Sequence, residues 1–211
     1  MSSITPSILQ QTIDWQQYYA LCKQYVEGYD KPLIYQDEKM LRYTASNIKR
    51  MDAILQYITI ESKLYNLLQS VSTRWTWLVL AEPWCGDVAQ ILPVLYTIAS
   101  CTDSIDFKIL QSDSHPQILD QYMTEQSRSI PILLCLATDT LQEIGRWGPR
   151  PAALQVLVAH YKDDTTVSYR DKVRRVHSWY ESDKTQVIQA EFIDLIKNWK
   201  TQSHVSNQQN L

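Results

Sequence analysis

Four cysteines stand at positions 22, 85, 101 and 135, and only Cys85 lies where a thiol is set up to react. It belongs to the segment Glu82-Pro83-Trp84-Cys85-Gly86-Asp87-Val88, which follows the short apolar run from Trp75 to Ala81. From Val88 onward, Ile91, Leu92, Leu95, Ile98 and Ala99 recur at helical intervals. A strand that passes directly into a helix puts Cys85 at the helix N-terminus. Backbone N–H groups there are unpaired and point outward, so they favour a thiolate over a thiol. The chemistry expected is nucleophilic: attack of the sulfur on a disulfide, or its own oxidation.

How acidic that sulfur is depends on two opposing effects. A helix N-terminus is worth about 0.3–1 kcal/mol to a negative charge, less than one pKa unit. Asp87 opposes it, since a carboxylate about 6 Å away repels a thiolate by roughly 3 kcal/mol at an effective dielectric near 20, before screening by salt. The two are expected to cancel. Asp87 has two readings, a general base for Cys85 or a residue that satisfies first-turn N–H groups, and Glu82 is the other candidate base. His115, His160, His177 and His204 are scattered and form no readable pair with Cys85.

The other cysteines are poor partners. Sixteen residues of helix would hold Cys101 roughly 24 Å from Cys85. Cys135 lies inside an apolar strand and reads as core, whereas Cys22 could resolve Cys85 only if the N-terminal helices fold across it. With no short paired spacing and no histidines at ligand intervals, neither a zinc site nor a disulfide framework is indicated, and no cofactor is expected.

The elements that must position Cys85 can be read from periodicity. Asp14, with Gln17 at its third position, opens a helix carrying Tyr18, Leu21, Cys22 and Tyr25, punctuated by Gly28 and Pro32. Helical stretches follow from about Glu38 to Leu55 and from near Thr59, with Leu64, Leu67 and Leu68. After the strand 75–81 and its helix, Ile105, Phe107 and Ile109 alternate as a second strand, giving a parallel pair with a right-handed crossover. Pro116 to about Gln126 is a short helix. Ile132 to Ala137, a turn at Thr138-Asp139-Thr140 and a strand ending near Trp147 form an antiparallel hairpin stopped by Gly148 and Pro149. Helices are expected at Ala152–Tyr161, Ser168–Tyr180 and Asp183–Trp199, and the polar residues from Thr201 are expected to fray.

The 211 residues, 45% hydrophobic and 20% charged, suffice for one substantial core. The expected division is a helical extension over 1–70, a core over 71–162, C-terminal helices over 163–200 and a polar tail over 201–211, in one compact domain. A net charge of −3 without basic runs argues against nucleic acid. No segment reads as a signal peptide or a membrane span, so a cytoplasmic location, no membrane partner and reduced thiols are expected. Seven Trp and thirteen Tyr against two Phe read as core and rim residues with polar tips, not as a ligand cage.

Over about Trp75 to Tyr161 the sequence resembles the thioredoxin superfamily. The resemblance rests on Trp84-Cys85-Gly86 at the strand–helix junction, Pro93 within the following helix, Arg128-Ser129-Ile130-Pro131 before the hairpin, and Gly148. More narrowly, Glu82 to Asp87, with Asn47, Arg50, Met51, Trp179-Tyr180 and Asp183-Lys184, is similar to a largely uncharacterised bacterial thioredoxin-like family. The resemblance implies an α/β fold of three layers, a mixed central sheet flanked by helices, with extra helices at both termini. It also implies a cis bond at Ile130-Pro131, beside which an extended peptide could pair with the Ile130 backbone. Trp84 and Gly86 would flank that peptide.

Two departures from the family matter. Thioredoxins carry a second cysteine where this chain has Val88, and a buried acid where it has Val79. The expectation is therefore a one-cysteine thiol–disulfide protein, with Cys85 and Asp87 as catalytic candidates and Trp84, Gly86, Ile130 and Pro131 as substrate-binding candidates. Its partners would be protein or low-molecular-weight thiols and disulfides, an external thiol would release the mixed disulfide, and the oligomeric state is left open. The alternative is a redox-inactive scaffold that binds peptides or proteins. A third idea, a glutathione-supported iron–sulfur cluster shared between subunits, is borrowed from one-cysteine glutaredoxins.

Overall fold

The computed structural model describes residues 4–28, 37–124 and 127–209. The break expected at Pro32, and Gln126 at the end of the short helix, lie outside these residues. The chain opens with a one-turn helix not expected from periodicity, α1 (Pro6–Leu9), capped by the Thr5 hydroxyl. In α2 (Trp15–Glu27) the Asp14 side chain accepts from Gln17 N while the Gln17 side chain accepts from Asp14 N, and Gly28 ends the helix at φ 89°. Both orphan donors of the first turn are thus satisfied reciprocally. α3 (Glu38–Tyr57) and α4 (Ser62–Gln69) complete the N-terminal helices.

The sheet has the order β2-β1-β3-β4. β1 (Trp75–Ala81) is buried along its whole length because it is central, flanked by parallel β2 (Ile105–Gln111) and antiparallel β3 (Ile132–Ala137). A strand covered on both faces needs a continuous apolar run, which is what residues 75–81 supply. β4 (Glu143–Trp147) pairs antiparallel with β3, with a register shift at Cys135/Leu136. Ile13 adds an isolated antiparallel bridge to Ile109.

Helices close both faces. The crossover from β1 to β2 runs through α5 (Gly86–Ala99), which packs against α3, while α2 packs against α3 and β2. After β2 the chain makes a 3-10 turn at Ser112–Ser114, α6 (Pro116–Leu119) and a second 3-10 turn at Asp120–Tyr122 in place of one longer helix. α7 (Ala152–Asp163), α8 (Tyr169–Asp183) and α9 (Gln186–Gln209) follow β4. From α9, Phe192 and Trp199 stack against Trp77, and Trp199 also meets Trp75.

The polar segment expected to fray from Thr201 instead continues α9 to Gln209. Ser203 is buried there and accepts a hydrogen bond from Trp75 Nε1 at 3.1 Å, so the far end of β1 anchors the helix. Among the described residues no helix is long and apolar enough to cross a membrane.

Candidate functional site at the start of α5

Cys85 is the N-cap residue of α5, just beyond the carboxyl end of β1, and its side chain makes no capping hydrogen bond. Its Sγ donates instead to the Ile130 carbonyl oxygen at 3.6 Å, across from the cis bond between Ile130 and Pro131. Gly148, at φ +123°, lies so close to the Pro131 carbonyl that a Cβ would overlap it, which explains glycine at that position. Trp84, Cys85, Gly86 and Asp87 are half-buried, whereas Ile130 and Pro131 are buried. The structure therefore brings all six sequence-derived candidates into one region, but it does not lay the Ile130 backbone open to a peptide.

The thiol is far from ionising at neutral pH. Burial is the main cause, the nearby Asp87 carboxylate is the second, and together they push Cys85 up to about 12 against the pull of the Val88 and Asp87 N–H groups and of Arg150. Cys85 is half-buried as a residue, and burial remains the leading influence on its thiol. The sequence-based balance lacked this burial contribution, because it considered only the helix start and Asp87.

Asp87 does not hold first-turn N–H groups. One carboxylate oxygen accepts from Arg150 Nη2 at 2.5 Å and the other from the Tyr180 hydroxyl at 2.9 Å. Burial works to lower the Arg150 guanidinium, but Asp87 outweighs it and leaves it raised. Burial and Asp87 both push the Tyr180 phenol well above its ordinary value. With its lone pairs engaged in this way, Asp87 positions α8 more than it offers a free base.

Glu82 is the buried acid of this region, at 1% exposure. Burial raises its carboxyl to about 8, and its Oε1 accepts from Asp113 N at 2.7 Å and Ser112 Oγ at 3.3 Å. Those contacts direct it toward the turn after β2. The Asp113 carboxylate in turn accepts from Trp84 Nε1 at 3.0 Å, so the tryptophan is pinned at the rim. At Val79, where the family's acid would stand, the side chain is fully buried in β1.

Helices distant in sequence wrap the motif. From α3, Asn47 Nδ2 donates to the Pro83 carbonyl at 2.8 Å, and Arg50 Nη1 donates to Asn47 Oδ1 at 2.8 Å. From α8, the His177 ring lies over Gly86, where a Cβ would stand 3.1 Å from Cε1. His177 Nδ1 is 3.4 Å from Gln90 Nε2, and burial followed by Arg50 lowers the imidazole's pKa. Arg150 and His177 carried no sequence signal. Asn47, Arg50 and Tyr180 did, through the narrower resemblance.

Cys22 and Cys135 are fully buried, Cys101 Sγ donates to the Thr97 carbonyl at 3.3 Å, and all four cysteines are free. Val88, where a dithiol enzyme has its second sulfur, is buried. Among the described residues no group of three or more His, Cys, Asp or Glu could hold a metal ion. The cleft lined by Tyr57, Thr59, Glu61, Lys184, Gln186 and Gln189 includes none of the motif residues.

Among solved structures, the chain is similar to a protein of unknown function from Pseudomonas aeruginosa, PA1234. The match has 17% identity and a TM-score of 0.57, and covers 93% of this chain and 98% of that one. An HIV epitope-scaffold matches at 18% identity over 88% of this chain and 98% of its own, with a TM-score of 0.49. No curated protein matches. The family model described as Thioredoxin matches residues 34–165. With that match over more than half of its length, on a mixed sheet whose central strand delivers Cys85 to a helix start, the chain belongs to the thioredoxin family.

Proposed function

We propose that this thioredoxin-family chain is a one-cysteine thiol–disulfide protein whose reacting group is Cys85. The observation that carries the reading is its position: a half-buried cysteine at the N-terminus of α5, its Sγ against the Ile130 carbonyl beside Pro131. The deprotonated sulfur attacks one sulfur of a disulfide RSSR; the Cys85–S–SR bond forms, the S–S bond breaks, and RS⁻ leaves to take a proton. With Val88 in place of a second cysteine, an external thiol must attack the mixed disulfide and return Cys85 to the reduced state. Trp84 and Gly86 flank the incoming group. Four free cysteines suit a reducing, cytoplasmic setting.

Rate arithmetic sets what this site does at rest. A thiol at about 12 is ionised to roughly one part in 10⁵ at pH 7, against a few per cent for a free cysteine. The greater nucleophilicity of the more basic thiolate recovers only about 25–60-fold. Exchange in the conformation described is thus slower than for a free cysteine. The test is incubation with oxidised glutathione followed by mass spectrometry. A single adduct on Cys85, absent in Cys85→Ser, supports the reading; a native protein unmodified at Cys85 even at pH 9 defeats it.

The raised thiol and Val88 favour one other reading, a redox-inactive scaffold that binds peptides or proteins. It ranks second because Ile130 and Pro131, which would line the groove, are buried. On that reading Cys85→Ser retains every partner that the wild type captures.

A further inference from the structure

We propose that α8 is a displaceable cover over Cys85, closed in the state described here, and that its displacement is what admits a disulfide to the sulfur. The inference takes Cys85 as the reacting group of the proposed function and adds the device that regulates it.

The contacts of α8 with α5 run along one short stripe. Val173, Val176, His177 and Tyr180 share a face at helical spacing, yet among the residues of α8 only Tyr180 is buried. The Tyr180 hydroxyl reaches Asp87, and the His177 ring lies against Gly86 and Gln90. These contacts fall within five residues of Cys85 in sequence, at Gly86, Asp87 and Gln90. Val176 and Trp179 are only partly buried, and toward α7 the guanidinium of Arg175 rests on the Tyr161 ring. α9 is held very differently, with Ile188, Phe192, Ile193, Ile196 and Trp199 all buried. A helix with so little buried apolar surface belongs to the low-stability end of a fold, where local opening occurs.

Both ends of α8 are built to let it move. Before it, residues 164–168 form a polar, largely exposed connection, in which Asp164 Oδ1 accepts from Thr166 N. After it, Lys184 and Thr185 have φ of 47° and 72°. Two successive non-glycine residues in the left-handed region, one of them β-branched, mark a strained turn. Lys184 lines the cleft with Tyr57, Thr59, Glu61, Gln186 and Gln189, while Thr185 is buried and its hydroxyl accepts from Gln189 Nε2. Asp183, the last residue of α8, accepts from Val187 N in the first turn of α9, so the two helices stay joined at this turn, while Gln189 ties α9 to Thr59 and Glu61.

The test measures alkylation of Cys85 by iodoacetamide at a fixed pH of 8, with peptide mapping, beside amide hydrogen exchange of the whole protein. Tyr180→Ala is expected to alkylate at least tenfold faster than the wild type, and Tyr180→Phe, which keeps the ring and loses only the bond to Asp87, a few-fold faster. Amides of α8 are expected to exchange at least tenfold faster than those on the buried face of α9. A folded Tyr180→Ala protein with unchanged alkylation overturns the proposal, as does exchange of α8 and α9 as one unit. If Tyr180→Ala does not fold, His177→Ala replaces it with the same two outcomes. Iodoacetamide reports the accessible thiolate whatever the natural substrate, and a pH profile of its rate separates access from acidity, so a readily alkylated variant that still forms no glutathione adduct supports the cover and defeats the disulfide reading.

Discussion

The Tyr180 hydroxyl donates a 2.9 Å hydrogen bond to Asp87 Oδ1, joining helix α8 to the second residue of α5, two positions after Cys85. Arg150 takes the other Asp87 oxygen, at 2.5 Å. A single carboxylate thus links three segments that are 63 and 93 residues apart in sequence. It also sets the electrostatic character of the site, because Asp87 is the main charge that disfavours the Cys85 thiolate while Arg150 favours it.

Asp87→Asn separates the charge of that group from its hydrogen bonds. The amide oxygen still accepts from Tyr180 or Arg150, so α8 stays in place, while the negative charge beside the sulfur is lost and the Arg150 charge is no longer neutralised. The Cys85 pKa is expected to fall by one unit or more, which corresponds to about 1.4 kcal/mol per unit. Alkylation rate as a function of pH reads this directly, and a profile unchanged from the wild type would show that burial alone governs the thiol.

Glu82 predicts a pH-dependent stability with a definite sign. Its carboxyl is raised from 4.5 to about 8 in the folded chain, so between these values the native state holds a proton that the unfolded chain has released. Stability from this group is fully present below pH 4.5 and declines by about 1.4 kcal/mol per unit as pH rises through that window. Glu82→Gln keeps an oxygen to accept from Asp113 N and Ser112 Oγ and removes the titration. Denaturant melts should show the variant about equal to the wild type near pH 4.5 and more stable by on the order of 3 kcal/mol at pH 7. A wild-type protein without a steeper decline than the variant over that range would refute the assignment.

Much of the frame was legible because its signals are local. Asp14 and Gln17 form a reciprocal cap that any helix start would use, the Trp75–Ala81 run requires a strand covered on both sides, and the apolar spacing after Val88 fits only a helix. The electrostatics of the site were not legible, because they depend on what folds over it. Nothing near Cys85 in sequence says that Tyr180 and His177 of α8 will pack against Asp87 and Gly86 beside it. Glu82 reads in the sequence as a candidate base, and its burial beside the turn at Ser112–Ser114 depends on chain thirty residues away. The fraying expected from Thr201 failed for the same reason, since polar composition does not reveal that Ser203 lies under Trp75. Asn47 and Tyr180 were visible as family-like residues without a role, and their role is to hold the Pro83 and Asp87 backbone and side chain.

Gly145 in β4 lies directly beneath the Trp199 indole, with no space for a methyl group. Trp199 also stacks edge-on against Trp75, Trp77 and Phe192, so it has little freedom to withdraw. Gly145→Ala is therefore expected to destabilise by about 1–3 kcal/mol through overpacking. The melting midpoint should fall while Cys85 alkylation in the native protein is unchanged, because the clash lies on the α9 side of the sheet.

Val88→Cys tests whether the missing second sulfur is all that separates this site from a dithiol one. Position 88 is in the first turn of α5, buried and three residues after Cys85, so a cysteine there points along the same helix start. Removing buried volume costs about 1 kcal/mol, which the fold can absorb. On oxidation the variant should lose two hydrogens and form one intramolecular disulfide between positions 85 and 88. Its mixed disulfide with glutathione should then release without added thiol, whereas the wild-type adduct persists until an external thiol is supplied. If the variant stays reduced under conditions that oxidise free dithiols, α8 and the surrounding packing hold the two sulfurs apart, and slow exchange at Cys85 reflects the enclosure of the site more than the absence of a partner.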